Sequence, residues 1–369
     1  MHKYIKTLFI GASVAFFVSC SVPQEVVSKV NITSTNSIDD ATSQSLSYTL
    51  PKSIIQVDIV TEKVIQKAGP FYRYSQRFLN LNNVITQDNE EWHIKSVKVY
   101  TKGIADENKR YSITTEGNSS ADHINLTKDG VLRGFNNPAE PKTTAPCKKQ
   151  EEIPHLEDIT FNEVELTEDI LLKTSSTAMA QETANMIYNI RANRFDILSG
   201  NIDNTPADGI AYQQVLNRFD QMEKDFVSMF AGKTIKASKT QSFSFAPSQE
   251  GGNAVLCRFS KSNGIVDAMD LSGTPIYIKI DRADFKKLEN NKVVDPKKED
   301  VVLRNGIYYC LPGSANVKIV DKNIELLSQD LKIAQYGQVV SMPSSILEKE
   351  GTVVKICPTT GALIQISDK

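Results

Sequence analysis

The chain has 369 residues, 40% of them hydrophobic and 23% charged. That length provides for two or three domains, and that content excludes a collagenous or wholly disordered chain. With 42 basic against 44 acidic residues there is no net field to attract nucleic acid, which is not expected as a partner.

At the start, Lys3 and Lys6 precede an apolar run from Thr7 to Ser19. This is the build of a secretory signal, and it falls short of the about twenty residues that cross a bilayer. Phe17-Val18-Ser19-Cys20 resembles the lipobox of bacterial lipoproteins, with Phe17 in place of the usual leucine and a small Ser19 where the peptidase needs it. The resemblance implies removal of residues 1–19, lipidation of the Cys20 thiol and attachment to a membrane, since several acyl chains hold where one binds marginally. Residues 20–50, rich in Ser, Thr, Asn and Asp, read as a flexible tether. Ser21-Val22-Pro23-Gln24-Glu25 lacks the acidic run that sends some lipoproteins to the cell surface. The expected address is therefore the outer membrane, lipid-anchored and facing the periplasm. No later apolar run is long enough for a transmembrane helix.

A mainly β segment is expected over 51–172. Ser53 to Lys67 alternates through Ile55, Val57 and Ile59, the period of a half-buried strand, and Gly69-Pro70 stops it. Phe71, Tyr74, Phe78 and Leu79 are spaced as one face of a short helix. Trp92 to Tyr100 alternates with a single slip, Tyr111 to Thr115 follows as a strand, and Ile124 to Phe135 is a hairpin turning on Asp129-Gly130. Asn136 to Pro154 is a linker. A helical hairpin is expected over 173–232. Ser175, Ser176 and Thr177 offer caps, Gly200 ends the first helix, Thr205-Pro206 opens the second, and Gly232 ends that. Tyr212, Val215, Leu216, Phe219, Met222, Phe226 and Phe230 give the second helix an apolar face. Residues 233–369 hold short alternating runs with turn signals, near Ser242–Ala246, Ala254–Phe259, Pro275–Ile280, Gly306–Leu311, Asn316–Val320, Gln338–Met342, Thr352–Ile356 and Ala362–Ile366. Lys286 to Asp300 is a charged loop. The expected class is α+β, with two β-rich domains, the C-terminal one sandwich-like, joined by an antiparallel helical hairpin.

Lys67-Ala68-Gly69-Pro70-Phe71, Arg191-Ala192-Asn193-Arg194, Leu198-Ser199-Gly200, Asp203-Asn204-Thr205-Pro206-Ala207-Asp208-Gly209 and Thr360-Gly361-Ala362-Leu363 occur in an order that resembles a known family. It comprises envelope proteins of anaerobic Gram-negative bacteria, grouped as domain of unknown function 4831. The likeness spans about residues 50 to 369 and implies location and length, with no activity attached.

No catalytic set emerges. Cys147, Cys257, Cys310 and Cys357 lack Cys-x-x-Cys spacing, so zinc and redox motifs are unsupported, and any disulfide among them has three possible connectivities. His93, His123 and His155 form no ligand pair, and a Cys147–His155 dyad falls in or beside the linker. Neither Gly-x-Ser-x-Gly nor a phosphate-binding glycine loop is present. No cofactor or metal is expected. Glu163, Glu165, Glu168 and Asp169 read as a solvated edge, Asn201 to Asp208 as capping residues, and Phe71, Tyr72, Tyr74 and Phe78 as core. Arg191 and Arg194 sit on or near the apolar face of the first helix, where a guanidinium needs carboxylates or carbonyls. Asp196, Asp203 and Asp208 are the expected partners in a structural clamp. The expected function is that of a non-catalytic scaffold or adaptor binding an envelope protein or glycan. A hydrolase of cell-wall or glycan substrate and a small-ligand carrier are the alternatives.

Overall fold

The computed structural model describes residues 29–34, 45–116, 124–136, 152–201, 209–283, 306–343, 346 and 352–368. Its strands are β1 (Lys29–Ser34), β2 (Ser45–Lys67), β3 (Asn89–Glu116), β4 (Ile124–Leu126), β5 (Leu132–Phe135), β6 (Lys233–Phe245), β7 (Gly252–Ser260), β8 (Gly264–Val266), β9 (Thr274–Arg282), β10 (Gly306–Asp321), β11 (Ile324–Pro343), β12 (Thr352–Ile356) and β13 (Leu363–Asp368). The helices are α1 (Ser75–Leu79), α2 (Glu168–Leu171), α3 (Ser176–Ser199) and α4 (Gly209–Ala231). The protein is α+β: three antiparallel sheets, with α3 and α4 packed together between β-rich segments of the chain.

The sheets run β1-β3-β2-β6, β11-β10-β9-β7-β8 and β13-β12-β5-β4. Strands from before and after the helical pair share them. β6 lies along β2 from Ile55↔Phe245 to Lys67↔Lys233, and β12 pairs with β5. β2 shows why. Every second residue from Ser53 to Ile65 is buried, so one whole face of this strand needs a second layer. Ile55, Val57 and Ile59 find it in Ile276, Ile278 and Ile280 of β9, Val317 and Ile319 of β10, and Leu331 and Ile333 of β11. Each such isoleucine, fully withdrawn from water, is worth about 1.5–3 kcal/mol.

A second core sits over the other ends of the same long strands. Tyr48 and Leu50 of β2, Tyr111 and Ile113 of β3, Tyr308 and Cys310 of β10 and Met342 of β11 pack on Leu132, Phe135, Val354 and Ile356 of the third sheet. The long pairs are interrupted at corresponding levels, between Thr49 and Pro51 where β2 meets β3, and between Leu311 and Gly313 where β10 meets β11. These irregularities let one strand pair serve two cores. Ser53 stands close to this junction. Its hydroxyl accepts from the Ala334 amide (2.9 Å) and donates to the Thr359 carbonyl (3.0 Å), while its backbone exchanges two bonds with the Gln335 amide.

Several expectations change in extent. The stretch read as a tether to residue 50 contains β1 and the start of β2, where Leu46, Tyr48 and Leu50 repeat every second residue. Trp92–Tyr100 and Tyr111–Thr115 are parts of β3. The slip in its alternation is a bulge, with Lys95 left over between Thr61↔Ile94 and Val60↔Ser96. Gly306–Leu311 and Asn316–Val320 likewise join into β10. The signal segment, residues 137–151 of the linker, the loop over 286–300 and the second helix's Thr205-Pro206 opening lie outside the described residues.

Replacing Ile278 with alanine at the centre of the sandwich is expected to lower unfolding free energy by about 2–5 kcal/mol. The shift in urea midpoint at unchanged slope would measure it.

Candidate functional site

The helical pair is built as its sequence directs. The Ser175 side chain accepts from the Ala178 amide at 3.2 Å, and Gly200 closes α3 at φ +72°. Ala180, Thr183, Ala184, Ile187 and Ile190 turn one face of α3 inward, meeting Phe226, Met229 and Phe230 of α4. Phe71 and Leu79 complete this third core, with Tyr74 and Phe78 against it. The C-terminal end of α4 is fastened to the stretch that leaves β2 and to α1. Its Met229 carbonyl accepts from the Phe71 amide at 2.9 Å, and Phe230 carbonyl from the Ser75 hydroxyl at 2.9 Å. A Cβ on Gly69 would overlap the Met229 carbonyl, so this docking requires glycine.

Arg191 and Arg194 do join the two helices, through partners other than the expected Asp196. Arg191 Nε donates to Glu223 Oε1 at 2.7 Å. Arg194 reaches Asp220 Oδ1 at 2.6 Å and Glu223 Oε2 at 2.7 Å. Antiparallel helices set residues equidistant from their connection side by side, and a guanidinium reaches sideways to that level rather than along to the tip. Asp203 and Asp208 lie outside the described residues, as do Cys20, His123 and Cys147.

Beyond the clamp, the hairpin presents large apolar side chains to solvent. Phe195 is 67% exposed, Leu198 57% and, on α4, Ile210 75%, with Tyr188 half exposed. Tyr188 and Phe195 are two turns apart and lie on one side of α3. A recess of about 220 Å³ opens where α3 and α4 meet the 163–167 stretch, lined by Glu163, Glu165, Thr167, Arg218, Met222 and Asp225 among others. Glu163 is engaged by Lys233 at 2.6 Å, and Lys233 also donates to the Thr160 carbonyl. A wider, polar hollow of about 620 Å³ at the base of the pair is lined by side chains including Gln66, Asn83, Thr86, Gln87, Asp88 and Asn89. Among the described residues no three acidic, His or Cys side chains gather as a metal site, and no helix is long and apolar enough to cross a membrane.

Cys257, Cys310 and Cys357 are free thiols. Cys257 belongs to the sandwich core and Cys310 to the second core. Burial pushes the Cys257 thiol up to about 12 and raises Cys310 as well. Cys357 differs. Burial raises it too, but hydrogen bonds from the side chains and backbones of Thr359 and Thr360 outweigh burial and hold it below the usual thiol range. Thr359 Oγ1 lies 3.0 Å from its sulfur. Sequence reading found no sign of this difference, because the donors belong to a turn whose shape the residue types leave open.

Two outcomes follow from these contacts. Glu223→Ala removes both arginine bonds to that carboxylate and is expected to cost about 1 kcal/mol, seen as an earlier thermal transition that added salt narrows. In native protein Cys357 is expected to alkylate ahead of Cys257 and Cys310, at a rate that half-saturates below the pH of an ordinary thiol, about 8.5. Thr359→Val with Thr360→Val moves that midpoint upward, which peptide mass mapping across a pH series would read.

A search of the curated proteins finds no match, and a search of the solved structures finds none. A family model, by contrast, matches residues 44–364, from the start of β2 into β13. The protein belongs to the family described as domain of unknown function (DUF4831).

Proposed function

We propose that this protein is a non-catalytic scaffold or adaptor of the bacterial cell envelope, held by lipid on Cys20 at the periplasmic face of the outer membrane. Its helical hairpin is the surface that engages another envelope protein. The observation that supports this reading is the exposure of apolar side chains on the pair, Tyr188, Phe195 and Leu198 of α3 and Ile210 of α4, on helices tied to each other and to the stretch that leaves β2. Apolar surface clustered on a rigid element favours association, because burying it against a partner releases water while little conformational entropy remains to be lost. Aromatic and aliphatic side chains on helices suit another protein's helix or groove better than a sugar, which needs more polar groups per unit area. The membrane attachment rests on the lipobox resemblance and on the arithmetic of several acyl chains.

The test has two arms. Phe195→Asp with Leu198→Asp, in the full chain expressed in its own host, is expected to abolish the crosslinks made by a photoreactive residue at position 192. A variant with lysines on the outer face of β6, at Ser242 and Ser244, should keep them. An unchanged set of crosslinked partners in the hairpin variant would reject this surface. Separately, Cys20→Ser is expected to move the protein from the membrane fraction to the soluble one. Retention on membranes after that change would reject the lipid anchor.

A further inference from the structure

The hollow at the base of the helical pair, about 620 Å³, falls within the range that small-molecule sites span. Its walls are fixed. The segment leading into β3 is tied to the end of α4 by the Ile85 amide, which donates to the Ala231 carbonyl at 2.9 Å. It is tied to the end of β2 by Asp88, whose carboxylate accepts from the Ala68 amide at 2.8 Å and pairs with Lys67 at 3.2 Å. A Cβ on Gly232 would overlap the Lys67 carbonyl and the Ile85 side chain, so glycine permits this close approach. One wall is a row across three strands. Gln66 of β2 stands opposite Asn89 of β3 on one side and Thr234 of β6 on the other. Directly opposed residues share a face of the sheet, so the three polar side chains lie side by side over about 10 Å. Asn83, Thr86 and Gln87 line the hollow from the segment beside them. Among the described residues, none of these six side chains has a hydrogen-bond partner in the protein.

We propose that this hollow is a binding site for a neutral saccharide, held by the side-chain amides of Gln66, Asn83, Gln87 and Asn89 and the hydroxyls of Thr86 and Thr234. Each amide offers two donors and an acceptor oxygen, and each hydroxyl both donates and accepts. A sugar ring presents hydroxyls of the same double character in close succession, so one amide serves two neighbouring hydroxyls at once. A row of about 10 Å across three strands matches the reach of two linked rings. Other ligand classes find no counterpart here. Asp88, the one charged side chain among the described lining residues, is already answered by Lys67, which leaves nothing to hold a phosphate or a carboxylate. Val84, Ile85 and Ala231 are the apolar lining residues, too little surface to take up a lipid chain. The site is separate from the apolar surface of the hairpin and does not depend on it.

Saturation-transfer NMR on the full chain, held in a detergent without a sugar headgroup, tests the site with cellobiose, maltose and chitobiose as separate millimolar probes. At least one of the three is expected to take up saturation from the protein. Gln66→Ala with Asn89→Ala should weaken that binding about tenfold in a titration, the effect of losing two hydrogen-bonding amides. Its melting temperature should stay where it was, since neither side chain bonds the protein. Phe195→Asp with Leu198→Asp should bind the sugar as the parent chain does. The proposal is overturned if none of the three disaccharides binds, if the double alanine variant binds as tightly as the parent, or if inorganic phosphate displaces the sugar. Should the double variant fail to fold, Asn83→Ala on the neighbouring segment makes the same comparison.

Discussion

One strand carries the architecture. β2 hydrogen-bonds to β3 on one side and β6 on the other, while its alternate residues face the second sheet through Ile55, Val57 and Ile59. Its first turns feed the second core through Tyr48 and Leu50, and the chain leaving its far end passes Gly69 beneath the last turn of α4. A period-two burial sustained over this length fixes the register of everything paired to it, because a shift of one residue would turn the whole apolar row to solvent. The inward-facing Lys63 respects the same rule. Withdrawn from water, it is answered by Glu90 at 3.0 Å and the Pro154 carbonyl at 3.0 Å, and Glu90 in turn holds the Leu156 amide. A charge on the buried face thus ties the stretch before α2 to the sheet.

Two further devices convert this layer into a scaffold for helices. The first is the pair of interruptions at the boundary between cores, which bends the long strands without ending them. The second is the glycine contact at Gly69, which brings the backbone after β2 against the backbone of the last turn of α4. Tyr48 marks how tightly the second core closes. Its hydroxyl accepts from the Tyr308 amide at 3.0 Å, and burial drives its ionisation far above the ordinary phenol range. Tyr111, stacked on Tyr308 at 4.2 Å, is pushed up to about 12 by the same loss of water.

Much of this was legible in the residues, and what was not has physical causes. The strands of 53–67, 254–259 and 275–280 and the caps at Ser175 and Gly200 follow from local periodicity and turn chemistry, which a sequence states directly. Which strands pair is a different matter. Nothing local in Lys233–Phe245 tells that it will lie beside Ile55–Lys67, since any polar-apolar alternation fits any free edge. The extra Lys95 was readable only as a lapse in pattern, because a bulge is defined by the strand opposite. Two arginines beside an apolar face need carboxylates or carbonyls, yet Glu223 and Asp220 are set by helix register and not by nearness along the chain.

The bond between Ser53 and Thr359 joins positions 306 apart in the chain. β2 therefore meets its final neighbours only after nearly all of the polypeptide has been made. Closing so large a loop adds only a logarithmic entropic cost, but contacts this remote slow the search for the native arrangement. During synthesis Ile55 and Val57 wait for the opposing layer of β9, β10 and β11, and until those strands emerge their apolar face is open to association with other chains.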